Sequence, residues 1–245
     1  MNLALVHALE RATLNALPAP RTLFDGPFVV RALLGGTGRA NGAWSLDPSP
    51  DPALRERVKR IEAHYRRFGL VPRIRSSPLD PPGLSELLSM EGWVEDGESL
   101  VSSGPLESRA DPAVEFLAAP NAAWLDVIGT AAYQSVTRKA EKQQAAKFFA
   151  IPAAWLILHE TGVPAAAMSS TSDGTFCGIF DLAVRPEFRQ RGFAARMIGA
   201  ASHWAAASGA ETGFAQTDVT NLASISLQAS LGLQERYRYR YFLKP

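Results

Sequence analysis

The chain has 245 residues, 47% of them apolar and 20% charged, with a formal net charge of +1 and a mean hydropathy of −0.04. That composition excludes a disordered or collagen-like chain, and a charge so near zero gives no global argument for nucleic acid or membrane as a partner. The single cysteine, Cys177, excludes an intrachain disulfide and fits a reducing compartment.

No apolar run approaches the roughly 20 residues that a membrane helix needs. The opening MNLALVHALERATLNALPAP lacks the early basic cluster of a signal peptide, so a cytoplasmic location is the expectation. The same stretch predicts an amphipathic helix with Leu3, Val6, Leu9 and Leu17 on one side. PFVVRALLG (27–35) predicts a strand, GGTG (35–38) a turn, and RANGAWSL (39–46) a second extended piece. A helix follows from about Pro52, its stripe made by Leu54, Val58, Ile61, Tyr65 and Phe68 and its end marked by Gly69. Residues 71–78 read as a strand, 84–93 as a short helix and 98–106 as another strand. The polar, proline-bounded PLESRADP (105–112) marks a boundary between domains at 1–110 and 111–245.

The second part opens with a strand in AVEFLAA and a helical stretch at 124–149 interrupted near Gly129. Three strands come next, at 153–160, 163–170 and 175–184, joined by the turn sequences ETG and TSDG. A helix at about 192–208 buries Phe193, Met197, Ala201 and Trp204. A strand at 213–219, a helix at 221–232 and a strand at 235–243 complete the order. On the last strand Tyr237, Tyr239 and Tyr241 share one face and Arg236, Arg238 and Arg240 the other.

Charge is segregated. Residues 21–75 carry 11 basic against 5 acidic side chains, and residues 80–115 carry 9 acidic against 1 basic. A solvated face or a contact between domains accounts for this. The RVKR and YRR clusters lie on the polar side of an amphipathic helix, which needs such a side whether or not nucleic acid binds. AHYRRFGLVPRIR (63–75) is similar to SLQASLGLQERYR (226–238), which suggests two diverged copies of one unit.

The most informative run is RQRGFA (189–194). A strand ends at Val184, Pro186 turns the chain, and a helix begins near Gly192. First-turn N–H groups of a helix have no internal partner, and the helix dipole adds partial positive charge at that end. A phosphate there meets several donors at once. The spacing is neither a Walker loop nor a dinucleotide fingerprint. On its own the hexapeptide is equally well an arginine-rich turn capping a helix.

In context, FDLAVRPEFRQRGFAARMI resembles the central motif of the GNAT acyltransferase superfamily: a Leu-x-Val strand end (Leu182–Val184), a Pro-Glu-Phe turn (186–188), then [QR]-x-x-G-x-[GA] (Arg189–Ala194). QTDVTNLASISLQASLGL resembles the following motif, with Asn221, Ser224, Leu227, Gly232 and Leu233 in its places, and YRYRYFL resembles the last strand. The likeness covers roughly residues 112–245. It implies an α+β fold, a mixed and mostly antiparallel sheet flanked by helices, preceded by a degenerate GNAT-like half. It also implies acetyl-CoA or another acyl-CoA as donor. Its pantetheine arm would lie along Leu182, Ala183 and Val184 as an added strand. Its diphosphate would lie on Arg189, Gln190, Arg191, Gly192, Phe193 and Ala194, with Asn221 and Ser224 alongside. The implied acceptor is a primary amine of a small metabolite, an antibiotic, a peptide N-terminus or a lysine. The N-terminal half has no such glycine loop and would supply a wall of the acceptor site.

Acyl transfer needs a base for the amine, a donor for the oxyanion and an acid for the thiolate, and much of the rate comes from holding the reactants together. Family members place a tyrosine where this chain has Gln228, and an amide gives up no proton at useful pH. Tyr237 or Tyr239 would then serve, or water, or the thiolate would leave unprotonated, or the protein would bind CoA without turnover. Asp181 and Asp218 are the candidate bases, although Asp181 reads more simply as a solvent-facing strand residue and Asp218 as an end-of-strand turn or helix cap. Cys177 reads as a buried small hydrophobe and His203 as a structural histidine. The four histidines show no metal-ligand spacing. No nucleic acid, membrane or metal partner is expected, and the sequence leaves the oligomeric state open.

Overall fold

The two strands at the centre of the sheet, one from mid-chain and one from the C-terminus, are far apart in sequence. The computed structural model describes residues 1–245. Its strands are β1 (Arg21–Asp25), β2 (Phe28–Ala32), β3 (Ala43–Ser45), β4 (Arg73–Ser76), β5 (Val94–Pro105), β6 (Val114–Leu117), β7 (Ala153–Glu160), β8 (Val163–Ser172), β9 (Phe176–Val184), β10 (Thr212–Asp218) and β11 (Gln234–Leu243). Its helices are α1 (Leu3–Ala16), α2 (Leu54–Arg67), α3 (Leu84–Met90), α4 (Ala122–Ile128), α5 (Val136–Ala145), α6 (Phe193–Ala206) and α7 (Leu222–Ser230). None is long and apolar enough to cross a membrane.

All eleven strands join one sheet in the order β1-β2-β3-β4-β11-β5-β10-β9-β8-β7-β6. Only β3–β4 and β9–β10 are parallel, so the class is α+β, mixed and mostly antiparallel. β5 lies between β11 and β10, and β11 lies between β4 and β5. The final strand before the 106–111 connection and the final strand of the chain have thus crossed into each other's neighbourhood.

Pattern explains most of the packing. On β11, Tyr237 and Tyr239 are buried under α1 with Val101, Phe180 and Phe214. Arg238 and Arg240 face outward and pair with Glu95, Glu98 and Glu235. α6 lays Phe193, Met197, Ile198 and Ala201 against Leu156, Leu158 and Ile179, each large apolar side chain contributing about 1.5–3 kcal/mol on burial. α2 buries Val58, Ile61 and Tyr65 against β2, β4 and α3. Arg55 pairs with Glu91 across the two charged segments, while Arg57 pairs with Asp25 and Asp51 inside the basic one.

Some expectations shift. RANGAWSL is broken by a 3-10 turn at Gly38–Ala40, leaving a three-residue strand. RTLFD forms β1, an edge strand with no clear alternation that the sequence reading passed over. Leu3 is exposed, while Glu10 is fully buried on the inner side of α1, where its carboxylate accepts from Arg75 at 2.7 Å and from the Tyr237 hydroxyl at 2.6 Å. A buried charge is retained only when paired in this way. The internal likeness also falls one step out of register with the topology. β4 sits beside parallel β3 as β10 sits beside parallel β9, so the counterpart of α7–β11 is α3–β5, not the end of α2 with β4.

Candidate active site

β9 and β10 are paired only from Phe176↔Thr212 to Ile179↔Ala215. Beyond that point β10 continues on β5 alone and β9 on β8 alone. The edge of β9 from Phe180 to Val184 therefore has no strand on its β10 side. A bulge accompanies the parting: the β8–β9 register steps between Ala167 and Ser169, and Asp181 opposite it takes a φ of 56°. Bulges bend and twist a strand, and a left-handed residue other than glycine costs on the order of 1 kcal/mol, a strain that collects at functional sites. Where the strands separate, a cleft of about 410 Å³ opens through the sheet. Ile198, Leu227 and Gln228 line it from the α6–α7 face. Arg39, Tyr239 and Tyr241 line it from the other.

The RQRGFA loop lies at the start of α6. Gln190 and Gly192 are both left-handed, with φ of 60° and 76°, and no side chain caps the helix. Its first-turn N–H groups are thus available to an anion. A Cβ built on Gly192 meets nothing within 4 Å. Glycine is needed there for its backbone angle, not because the space is crowded. Both flanking arginines are exposed and bound to their own loop. Arg189 Nε donates to the Val184 carbonyl at 3.2 Å, and Arg191 donates to the Glu187 carbonyl at 3.3 Å. Phe193 is buried, so only its backbone faces the loop; Ala194 is half-buried. A second cavity of about 310 Å³, lined by Gly192, Ala195, Arg196 and Arg109, shares Ile198 with the main cleft.

On the α7 wall, the Asn221 side chain accepts from Ser224 N at 3.2 Å and so caps the helix. Ser224 and Thr217 hydroxyls lie 3.0 Å apart, and both accept from Gln228 Nε2. Gln228 is 6% exposed and its Oε1 has no partner. The oxygen is thus an acceptor left open in the cleft wall, with two hydroxyls beside the amide nitrogen. Asp218 is exposed at the cleft edge and accepts from Thr220 N at 2.8 Å, an end-of-strand turn.

On the opposite wall, Asp181 does not face solvent. Its carboxylate pairs with Lys142 of α5 and accepts from Ser169 Oγ at 3.1 Å. Burial works against its ionisation, but the Lys142 ammonium, Arg39 and the Ser169 hydroxyl outweigh this and hold it below the usual carboxylate range. Tyr237 is removed from the chemistry, because its hydroxyl is spent on Glu10 away from the cleft. Tyr239 and Tyr241 do line the cleft, stacked edge to face at 5.5 Å. Burial above all, with Tyr239 beside it, pushes the Tyr241 phenol up, so it stays protonated. Cys177 is buried beside Ser170, its thiol raised to about 11 by burial. His203 shares a hydrogen bond with Ser108 and does not line the cleft.

Residues the sequence reading passed over complete this wall: Arg39, Tyr133 and Arg138 line the cleft, and Glu141 holds α5 in place. The Glu141 carboxylate accepts from the N–H groups of Leu34, Gly36 and Thr37 and from the Asn41 amide. GGTG is therefore a nest for an internal carboxylate. A Cβ on Gly36 would lie 2.6 Å from that carboxylate. The one signal available was Glu141 itself, an acid in a helix otherwise rich in Lys, Arg and Gln.

A family described as "Probable histone acetyltransferase Rv0428c C-terminal" matches residues 4–242. The uncharacterized N-acetyltransferase YobR of Bacillus subtilis is 24% identical over 98% of both chains. Among solved structures, a GCN5-related N-acetyltransferase from Kribbella flavida superposes with a TM-score of 0.71 at 16% identity, over 99% of this chain and 95% of that one. A tandem GNAT protein from the clavulanic acid biosynthesis pathway gives 0.64 at 10%, over 100% and 87%. With a fold shared along its length and a family match spanning nearly every residue, this chain belongs to that acetyltransferase family and is a GNAT-type N-acetyltransferase.

Proposed function

We propose that the chain transfers the acetyl group of acetyl-CoA directly to a primary amine within the cleft between β9 and β10. The observation that carries this reading is the cleft's passage through the sheet. One side meets, at Ile198, the cavity that Gly192 lines at the uncapped start of α6, and the other is walled by aromatic and charged side chains. Donor and acceptor thus have separate entrances and one meeting point, which is how an enzyme turns two bound reactants into an effectively unimolecular pair.

The donor's diphosphate would rest on the N–H groups at 190–195, with its nucleotide end in the cavity beside Arg109. Its pantetheine arm would pair with the free β9 edge at Leu182–Val184, and the Gln228 carbonyl would accept from one of the arm's amides. Asn221 and Ser224 shape that wall by fixing the first turn of α7. The amine nitrogen attacks the thioester carbon, a C–N bond forms, the C–S bond breaks and the thiolate leaves. Asp218, exposed at the cleft edge, takes the amine proton through water. Asp181, kept ionised by Lys142, contributes a fixed charge. Tyr239 and Tyr241, whose hydroxyls have no protein partner, are the proton donors available where Gln228 cannot serve.

Residues 1–110 would be a diverged half that walls the acceptor site. The near two-fold strand order and the likeness to a tandem GNAT protein support that reading, and the β3–α2 connection has no glycine loop. Calorimetric titration with acetyl-CoA, desulfo-CoA and ATP, followed by thiol release with an amine panel, tests the proposal. Micromolar acetyl-CoA binding, weaker ATP binding and amine-dependent release are expected. Absent binding overturns the donor site, and binding without turnover favours a CoA-binding module.

A further inference from the structure

The cleft's acceptor wall holds two guanidinium groups that form no close ion pair, although Arg39 lies near enough to Asp181 for its charge to be felt there. Arg39 is half-buried beside the Phe180 ring, 5.7 Å from its centroid, and its side chain has no hydrogen-bond partner in the protein. Arg138 is tied to two carbonyls, Gly36 at 3.2 Å and Tyr133 at 2.9 Å, which aim it without neutralising it. The nearby acids are committed elsewhere: Asp181 to Lys142, and Glu141 to backbone N–H groups and Asn41. A partly desolvated guanidinium with no protein acceptor in a cleft wall favours an anion, and its planar fork suits a carboxylate. At another edge of the same cleft, Asp96 and Asp218 are exposed and form no ion pair. That edge suits an ammonium group.

From this we infer that the acceptor is zwitterionic: an amine that also carries a carboxylate, of amino-acid type, with Arg39 and Arg138 as its anion seat. The inference rests on the acetyl-transfer reading of the same cleft and deepens it. A site built around such a charge discriminates against an analogue lacking the matching group, because the bound analogue covers the charge without pairing it.

Matched pairs provide the test: lysine and cadaverine, ornithine and putrescine, tyrosine and tyramine, phenylalanine and phenethylamine. Binding to the full chain saturated with CoA is measured by calorimetry, and kcat/KM with acetyl-CoA beside it. At least one carboxylated member is expected to be preferred over its decarboxylated partner by roughly tenfold or more. Arg39→Gln is expected to bring that ratio close to one while CoA affinity holds. Equal or reversed preference in every pair overturns the inference, as does a ratio that survives Arg39→Gln. Turnover of the decarboxylated amines alone also overturns it, yet leaves acetyl transfer standing. Failure of acetyl-CoA to bind strikes the donor site instead and is seen separately.

Discussion

The backbone N–H of Gly36 donates to the carboxylate of Glu141 at 2.8 Å across 105 residues of chain. Three further N–H donors converge on the same group. Glu141→Ala leaves them without an acceptor in a partly buried loop. The expected loss is about 2–3 kcal/mol, read as a fall in melting temperature of roughly 4–12 °C for a chain of this size. Because α5 also carries Arg138, acceptor KM should rise while acetyl-CoA affinity stays. Equal losses in both would mean that the nest supports the whole fold and not this wall.

Lys142 and Asp181 should be strongly coupled. Lys142→Met strands a carboxylate that is nearly out of solvent and should cost roughly 3 kcal/mol. Lys142→Met with Asp181→Asn should recover much of that, the non-additivity being the measurable quantity. Asp181 is held below its ordinary value, so its contribution is complete above about pH 4. It is lost as pH falls through the lower folded value. The Asp181→Asn variant should therefore show a shallower decline of melting temperature on acidification.

Gly192→Ala and Gly192→Glu separate two effects. Both force a side chain into a left-handed angle at about 1 kcal/mol. Only Glu adds negative charge where the diphosphate would sit. Calorimetry should show acetyl-CoA binding weakened modestly by Ala and abolished by Glu. Equal affinity in the two would remove the loop from the donor site.

The local structure of the proposed donor side, its loop, strand end and helix cap, was legible, and the wall around Asp181 was not, for a physical reason. RQRGFA, the Leu-x-Val strand end and Asn221 act through backbone geometry and helix capping, which depend on short-range order in the chain. Asp181, Lys142, Glu141 and Arg39 depend on which distant segments meet, and neither spacing nor periodicity encodes that. Asp181 on an alternating strand reads as outward-facing; the bulge and α5 make it inward-facing. The tyrosine–arginine alternation of β11 was legible because period two survives its bulge positions. The placement of β11 between β4 and β5 was not, since antiparallel neighbours from different halves leave no local mark. β1 was missed because an edge strand needs no apolar face.

Gln228→Leu removes both an unsatisfied carbonyl and a donor to two hydroxyls. Thr217 and Ser224 still bond to each other, so thermal stability should be unchanged or higher. Acetyl-CoA affinity should fall about tenfold if the carbonyl accepts from the donor's arm. Unchanged affinity would leave the orphaned oxygen without that role.

Asp80 supplies a pH dependence of opposite sign. Burial raises its carboxyl to about 7, against the lowering effect of bonds from Ser76 Oγ and Ser77 N. Between its unfolded value, about 4, and that folded value, the native state holds the extra proton. Stability from this group is complete below the window, falls as pH rises through it, and is flat above. Asp80→Asn should accordingly raise the melting temperature more at pH 8 than at pH 5. The same gain at both would mean that Asp80 does not titrate in that range.

The crossing of β5 and β11 has a bearing on how the molecule comes apart. A cut in the 106–111 connection would leave an N-terminal piece whose last strand had lost both neighbours, and a C-terminal piece in the same position. Neither fragment keeps a closed central ladder, so each exposes edges that invite aggregation. Mixed together, the fragments have a route back, because each offers the other the strand it lacks. The molecule is in effect clasped by its own halves, and the two clasping strands lend Ser99, Tyr239 and Tyr241 to the wall of the cleft.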